Sequence, residues 1–409
     1  MKRIINFTIL LLCLKLQAQE VLTPAPPQEI PIILRNATLH IGDGTSSRVA
    51  DILIIDGKIT KIGKVTEAFK RSEDIDLSGK HLYPGIIALN TQLGLTEIEA
   101  ARPTVDTREA GMLNPGLRSV IAYNTDSRVI GTVRSNGILT AQIITESGWI
   151  KGISAVMQLD AANWEDAATD TDNALCMRWP KGNDANTIQE IYDYFKESKA
   201  WLEAGNLAEP DLNKRAMQPY LQAKRRIIIE AYSKTQIMQV LAFADDFKLD
   251  IALLGAHQAL DIADQIAARK IPVILNNVHR LPAVDEEHPL TPFSLPAELK
   301  KKGIEVSLST DGFWQVRNLP FMAGTAAAYN LNPEEALQMI TLNPAKVLHL
   351  DHRIGSIAEG KDANIIVSDG DLLDMKSSIP IKAMIEGRWI SLENKQSQLY
   401  HKYKSLEEK

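Results

Sequence analysis

The stretch RIIIEAYSKTQIMQVLAFADDFKLDIALL, Arg226 to Leu254, decides how the chain is read. A run of isoleucines from Arg226 to Tyr232 forms a strand with no polar face. Thr235 to Phe247 is amphipathic with helical spacing, and Asp250 to Leu254 is a second apolar strand. Strands that are apolar on both faces and joined through a helix belong to a parallel sheet covered by helices.

The alternation continues outward from this unit. Leu260–Arg269 reads as a helix, Pro272–Leu275 as a strand, Pro296–Lys302 as a helix and Ile304–Thr310 as a strand. Earlier, a Pro-Gly turn at Pro84-Gly85 opens a short apolar run, Ile86 to Leu89. Residues 84–352 therefore suit an α/β fold, a (β/α)8 TIM-type barrel, which typically takes about 250 residues. A doubly wound open sheet is the alternative, but no glycine-rich phosphate loop follows a first strand. Residues 160–222 fit the alternation worst. There Ile188–Leu202 is an amphipathic helix with polar, irregular flanks, read as an elaborated loop over one barrel face.

On both sides of the barrel the pattern becomes short and β-branched. Ile32–Ile41, Asp51–Ile55 and Lys58–Ile62 read as strands, with Asp56-Gly57 as a hairpin signal. Asn364–Ser368 and Ile381–Glu386 do the same after the barrel. Neither block is large enough for its own core, so residues 32–83 and 353–395 are expected to join in one β-sandwich side domain. Residues 19–31 include the proline-rich TPAPPQEIP (Thr23 to Pro31) and read as an extended linker.

Residues 1–18 read as a secretory signal: Lys2 and Arg3 are followed by the apolar run Ile4 to Leu14 and by Ala18. The expected location is periplasmic or extracellular after cleavage. Cys13 follows Leu12 rather than a small residue, which argues against a lipid anchor. Beyond the leader, Cys176 is the only cysteine, so no internal disulfide can form. The leader holds three of the 45 basic residues; with 51 acidic residues the remainder carries a net charge of −9. That charge argues against nucleic acid and against docking on an anionic membrane. No later run is apolar and long enough for a membrane helix.

Three motifs, in order, resemble the amidohydrolase superfamily, in particular its imidazolonepropionase-like branch. They are Gly79-Lys80 with Tyr83-Pro84-Gly85-Ile86-Ile87, then Thr341-Leu342-Asn343-Pro344-Ala345, then Gly355-Ser356-Ile357-Ala358-Glu359-Gly360-Lys361-Asp362-Ala363-Asn364. The resemblance implies metal-assisted hydrolysis of amide or ester bonds. Its ligand pattern is His-x-His after strand one, lysine or glutamate after strand four, histidines after strands five and six, and aspartate after strand eight. Here Asn90-Thr91-Gln92 stand where His-x-His is expected. Glu230 or Ala231 stands at the strand-five place, His257 lies near the strand-six place, and Asp311 matches strand eight. The strand-four ligand is not assigned.

The resemblance and the substitutions pull apart. A bound zinc lowers the pKa of its water from about 15.7 to about 7, worth roughly 12 kcal/mol. A lone general base supplies about 10²–10⁴-fold, roughly 3–5 kcal/mol. No binuclear zinc centre is therefore expected, and at most one weakly bound divalent metal on His257 and Asp311. Asp311 and Glu230 are the catalytic candidates. Asn90 and Gln92 are read either as amides bonding each other across the barrel mouth or as substrate-orienting groups. Arg225 and Arg226 are the expected partners of Glu230, and Arg102, Arg108, Arg118, Arg128 and Arg134 are candidates for an anion-binding mouth.

Two readings stay open. One is an exported hydrolase acting on non-peptide C–N bonds, cyclic ones included, of a small-molecule substrate. The other is an inactive relative that binds a ligand, self-associates, or pairs with an intact paralogue.

Overall fold

A computed structural model of the chain describes residues 24–182, 184–205, 211–282 and 287–407. The expected leader, and the linker up to residue 23, lie outside the described residues. In chain order the strands are β1 (Ile32–Leu39), β2 (Arg48–Ile55), β3 (Lys58–Ile62), β4 (Glu73–Asp76), β5 (His81–Pro84), β6 (Ile86–Thr91), β7 (Ile138–Ile143), β8 (Ile150–Ile153) and β9 (Ala155–Gln158). There follow β10 (Ala168–Asp170), β11 (Leu175–Arg178), β12 (Ile227–Ala231), β13 (Ile251–Gly255), β14 (Val273–Asn276), β15 (Val306–Ser309), β16 (Ile365–Ser368), β17 (Pro380–Ile385) and β18 (Arg388–Ile390).

The side domain draws on both ends of the chain. Its strands form one hydrogen-bonded sheet in the order β18-β17-β16-β5-β1-β2-β3, with β4 also on β1. The seam between the two segments is β5 against β16, antiparallel, with Leu82 opposite Val367 and Pro84 opposite Ile365. Asp56 and Gly57 both take positive φ (50° and 75°), which the tight β2–β3 hairpin requires. Leu34, Leu39, Ile54, Leu82, Ile365 and Met384 fill the core of this sheet. Residues 24–31 have no regular structure but are fastened down. The Ala25 amide donates to Asp160, and Gln28 bonds both Ile54 O and the Gly57 amide.

The barrel wall is parallel over β11 to β15 and over β6 with β7. Between these groups the strict strand–helix alternation fails. Residues 150–158 form one extended segment, interrupted at Ser154, that runs antiparallel to both neighbours. Its second half (β9) pairs with β7 and its first half (β8) with β11. No helix separates β7 from β8. The outer side of β8 is instead lined by the loop at 112–118, whose Met112 and Leu117 carbonyls accept from Ile150 and Ile153. Gly152 permits that approach: it has φ 121°, and a Cβ there would stand 2.6 Å from the Leu117 carbonyl. On the far side, β15 meets β6 where Ser309 Oγ donates to Leu89 O and the Gln92 amide donates to Gly312 O.

The segment expected to be a loop elaboration contains an ordinary barrel helix. Ala185–Glu203 is capped by Asp184 and sets Phe195 edge to face against Phe243, 4.8 Å between centroids. Phe243 belongs to the helix Lys234–Phe247, which starts with a capping box at Ser233 and Gln236. The helix expected at Ile188–Leu202 is thus present and extends a few residues at its N-terminal side, with an aromatic inward face. No helix among the described residues is long and apolar enough to cross a membrane.

Candidate functional site

The C-terminal ends of the barrel strands gather the residues singled out from the sequence, which is where barrels of this type place their sites. Glu230 is the penultimate residue of β12, and Asn276 the last of β14. His257 lies two residues beyond β13, and Asp311 two beyond β15. Asn90 sits near the end of β6 at φ 57°, a left-handed conformation asparagine tolerates, and its amide donates to Gln142 Oε1.

Glu230 is held by residues the sequence reading did not name. Lys151 Nζ lies 2.5 Å and Arg178 Nε 3.2 Å from Oε2, while the Tyr232 hydroxyl donates to Oε1 at 3.0 Å. Burial alone would push this carboxyl up. The Lys151 ammonium and the Arg178 guanidinium outweigh it and hold the group below the usual carboxylate range. The expected partners are engaged elsewhere, Arg225 with Asp170 and Arg226 with Asp250. Both arginines stand at the opposite end of β12, four or five residues away along an extended strand. A signal for Lys151 was present: a lysine within the apolar IKGISAVM must find a buried counter-charge. Lys151 is 3% exposed.

His257 packs its ring 4.9 Å from that of Tyr232. Burial and the nearby Arg280 charge push it down to about 4, against a hydrogen bond with the Asn276 backbone, so it is neutral at pH 7. Its Nε2 is buried without a partner. Asn276 donates to Asp311 Oδ1 at 2.5 Å, and its own Oδ1 is also buried and unpartnered. Asp311, by contrast, is exposed.

Asp311 and Gln92 open onto a cleft of about 760 Å³, bounded by the loops at 96–108 and 310–322. Glu230, His257 and Asn90 do not line it. Asn90 and Gln92 form no hydrogen bond with each other among the described residues, so the reading of two mutually bonded amides is corrected: Gln92 lies past the strand end and faces the cleft instead. Of the five arginines, Arg102 and Arg108 line the cleft. Arg118 is paired with Asp172 and Arg134 with Asp160.

The donors do not suit a two-metal centre. Among the described residues no group of three or more His, Cys, Asp or Glu side chains is placed to hold an ion. Asn90 and Gln92 offer only neutral oxygens, and the Glu230 carboxylate is already neutralised by two cations. The unpartnered His257 Nε2 and Asn276 Oδ1, beside Asp311, are the groups left over for a single ion.

The model of the amidohydrolase family matches residues 290–391. An amidohydrolase from Thermotoga maritima MSB8 has the same fold, with a TM-score of 0.81 and 25% identity over 88% of this chain and 99% of the other. Amidohydrolase tasK of Hapsidospora irregularis is 22% identical over 87% of this chain and 43% of its own length. Imidazolonepropionase of Flavobacterium johnsoniae is 35% identical over 81 residues, 19% of this chain and 20% of its own length. The chain thus spans less than half the length of these two relatives.

Proposed function

We propose that the protein is an exported hydrolase of small compounds with an amide-type C–N bond outside the ordinary peptide backbone, working through a reduced site. Asp311 is the base, since its carboxylate is the one among the sequence-named acids that reaches the cleft. Gln92 orients the substrate carbonyl or amide beside it. Asn276 fixes the Asp311 carboxylate and leaves its second oxygen for a water or substrate proton. His257, Asp311 and the Asn276 oxygen are the donors that would hold one divalent ion weakly, and such an ion would polarise a bound carbonyl. Glu230 stands behind the cleft as the counter-charge of Lys151 and Arg178.

The single observation that carries this reading is Asp311 open to a ligand-sized cleft at the strand ends. A second reading, binding without turnover, is supported by the engagement of Glu230 by Lys151 and Arg178. The test is turnover of a panel of small amides, ureas and cyclic imides by the natural protein and by Asp311→Asn. Hydrolysis that falls about 10²–10⁴-fold in the variant supports the first reading. Binding of a panel member with no turnover, equal in both proteins, supports the second. Equal turnover in both proteins would remove Asp311 from the chemistry.

A further inference from the structure

Five charged side chains line the cleft: Glu99, Arg102, Arg108, Glu146 and Asp311. Other exposed or half-exposed charges of this chain do pair, as Arg118 with Asp172 and Arg269 with Asp245. Among the described residues none of the five in the cleft enters an ion pair, although both signs share one concave surface. Arg102 donates only to the Val105 carbonyl, and Asp311 accepts only from Asn276. The Glu146 amide is anchored to Thr107 O, which ties the loop bearing Arg108 to the loop bearing Glu146 while leaving both side chains uncommitted. His279, also on the wall, donates to or accepts from Thr325, and burial pushes it down, so it adds no charge at neutral pH.

Cations and carboxylates on one concave surface would ordinarily find each other. Held apart, they present a positive and a negative subsite to a third party. We propose that the cleft binds a zwitterion: a small amide carrying a carboxylate at one end, taken by Arg102 and Arg108, and an ammonium at the other, taken by Glu146 with Glu99 at the rim, while Asp311 faces the amide between them. Guanidinium suits a carboxylate because its planar donors match both oxygens. A cleft of about 760 Å³ accommodates a ligand of this size. This names the substrate class of the hydrolytic reading and rests on it for the assignment of the cleft as the active site. The binding claim itself stands on the unpaired charges.

The test uses the full chain and four matched probes: β-alanylglycine, its N-acetyl derivative, its glycinamide, and the doubly capped N-acetyl glycinamide. These carry both charges, only the carboxylate, only the ammonium, and neither. Calorimetric titration at low salt should rank the zwitterion first, about tenfold or more tighter than either singly capped probe, with the neutral probe weakest. Arg108→Gln should weaken the free-carboxylate probes about tenfold and leave the glycinamide unchanged, and Glu146→Gln should do the reverse. Both sites are on the surface of the cleft, so circular dichroism of the variants should match the parent. Equal affinity for all four probes, or no binding of the zwitterion at millimolar concentration, overturns the proposal. Binding of the zwitterion without hydrolysis of it or of the amide panel leaves the cleft assignment standing and removes the hydrolytic reading. Hydrolysis of an uncharged amide by a protein that ignores the zwitterion does the opposite.

Discussion

On the β12 side of the barrel mouth, one carboxylate meets an ammonium, a guanidinium and a phenol, and all four groups are wholly or partly shielded from water. On the β15–β6 side, a few residues away, five charged groups share a cleft and none is paired. The difference separates two tasks. The first cluster completes its electrostatics internally and so fixes the ends of β8, β11 and β12 relative to each other. The second leaves its electrostatics incomplete, which is what a surface that receives a charged ligand needs.

Removing one partner from the closed cluster should give the largest effect on stability. Lys151→Met leaves Glu230 buried with the Tyr232 hydroxyl and with Arg178 as its remaining cation, and breaking a buried pair typically costs about 3–5 kcal/mol. Urea denaturation should show that loss, and Lys151→Met combined with Glu230→Leu should recover most of it, because two apolar groups need no counter-charge. If the single change costs no more than a surface substitution, the cluster is not the closed unit described here.

Acid probes the same side more gently. Folded Glu230 is held below its ordinary range, and folded His257 is lowered to about 4. Each binds fewer protons folded than unfolded, so stability is fully present above the unfolded pKa and is lost as pH falls through the folded one. For His257 the window runs from about 6.5 down to about 4. The ring is only partly enclosed, so the loss across that window is on the order of 1–2 kcal/mol after screening. A pH series of urea midpoints should show this loss in the parent and its reduction in His257→Gln. The same slope in both proteins would place the titrating group elsewhere.

The smallest effect is expected where charges are paired yet still reached by water. Arg118 and Asp172 are both more than a third exposed. Arg118→Ala should cost less than about 1 kcal/mol and leave probe binding in the cleft unchanged. A loss of ligand affinity there would extend the open half of the mouth beyond Arg102 and Arg108.

Particular residues show how far the sequence could be read. β12 and β13 were legible because Ile227–Ile229 and Ile251–Leu254 are unbroken apolar runs on either side of an amphipathic helix. The β2–β3 hairpin was legible because Asp56-Gly57 readily takes the positive φ values that a tight two-residue turn needs. The antiparallel crossing at residues 150–158 was not. It is short, contains Gly152, and has no flanking helix to mark a repeat. At the candidate site, Asp311 and Gln92 were singled out through the resemblance, and both line the cleft. Lys151 and Arg178 were missed because they meet Glu230 across 79 and 52 residues of chain, a pairing that only the register of β8, β11 and β12 creates. Local spacing carries no trace of it.

On the proposed reading, protein cations, rather than a pair of metal ions, supply the positive charge at this barrel mouth. The most direct measurement is elemental analysis of the purified full-length protein after mild dialysis, run beside Asn90→His/Gln92→His. The natural protein is expected to retain at most one ion per chain, in substoichiometric amount, because Lys151 and Arg178 already neutralise Glu230 and the β6 position offers only amides. Two stoichiometric metals in the natural protein would contradict it.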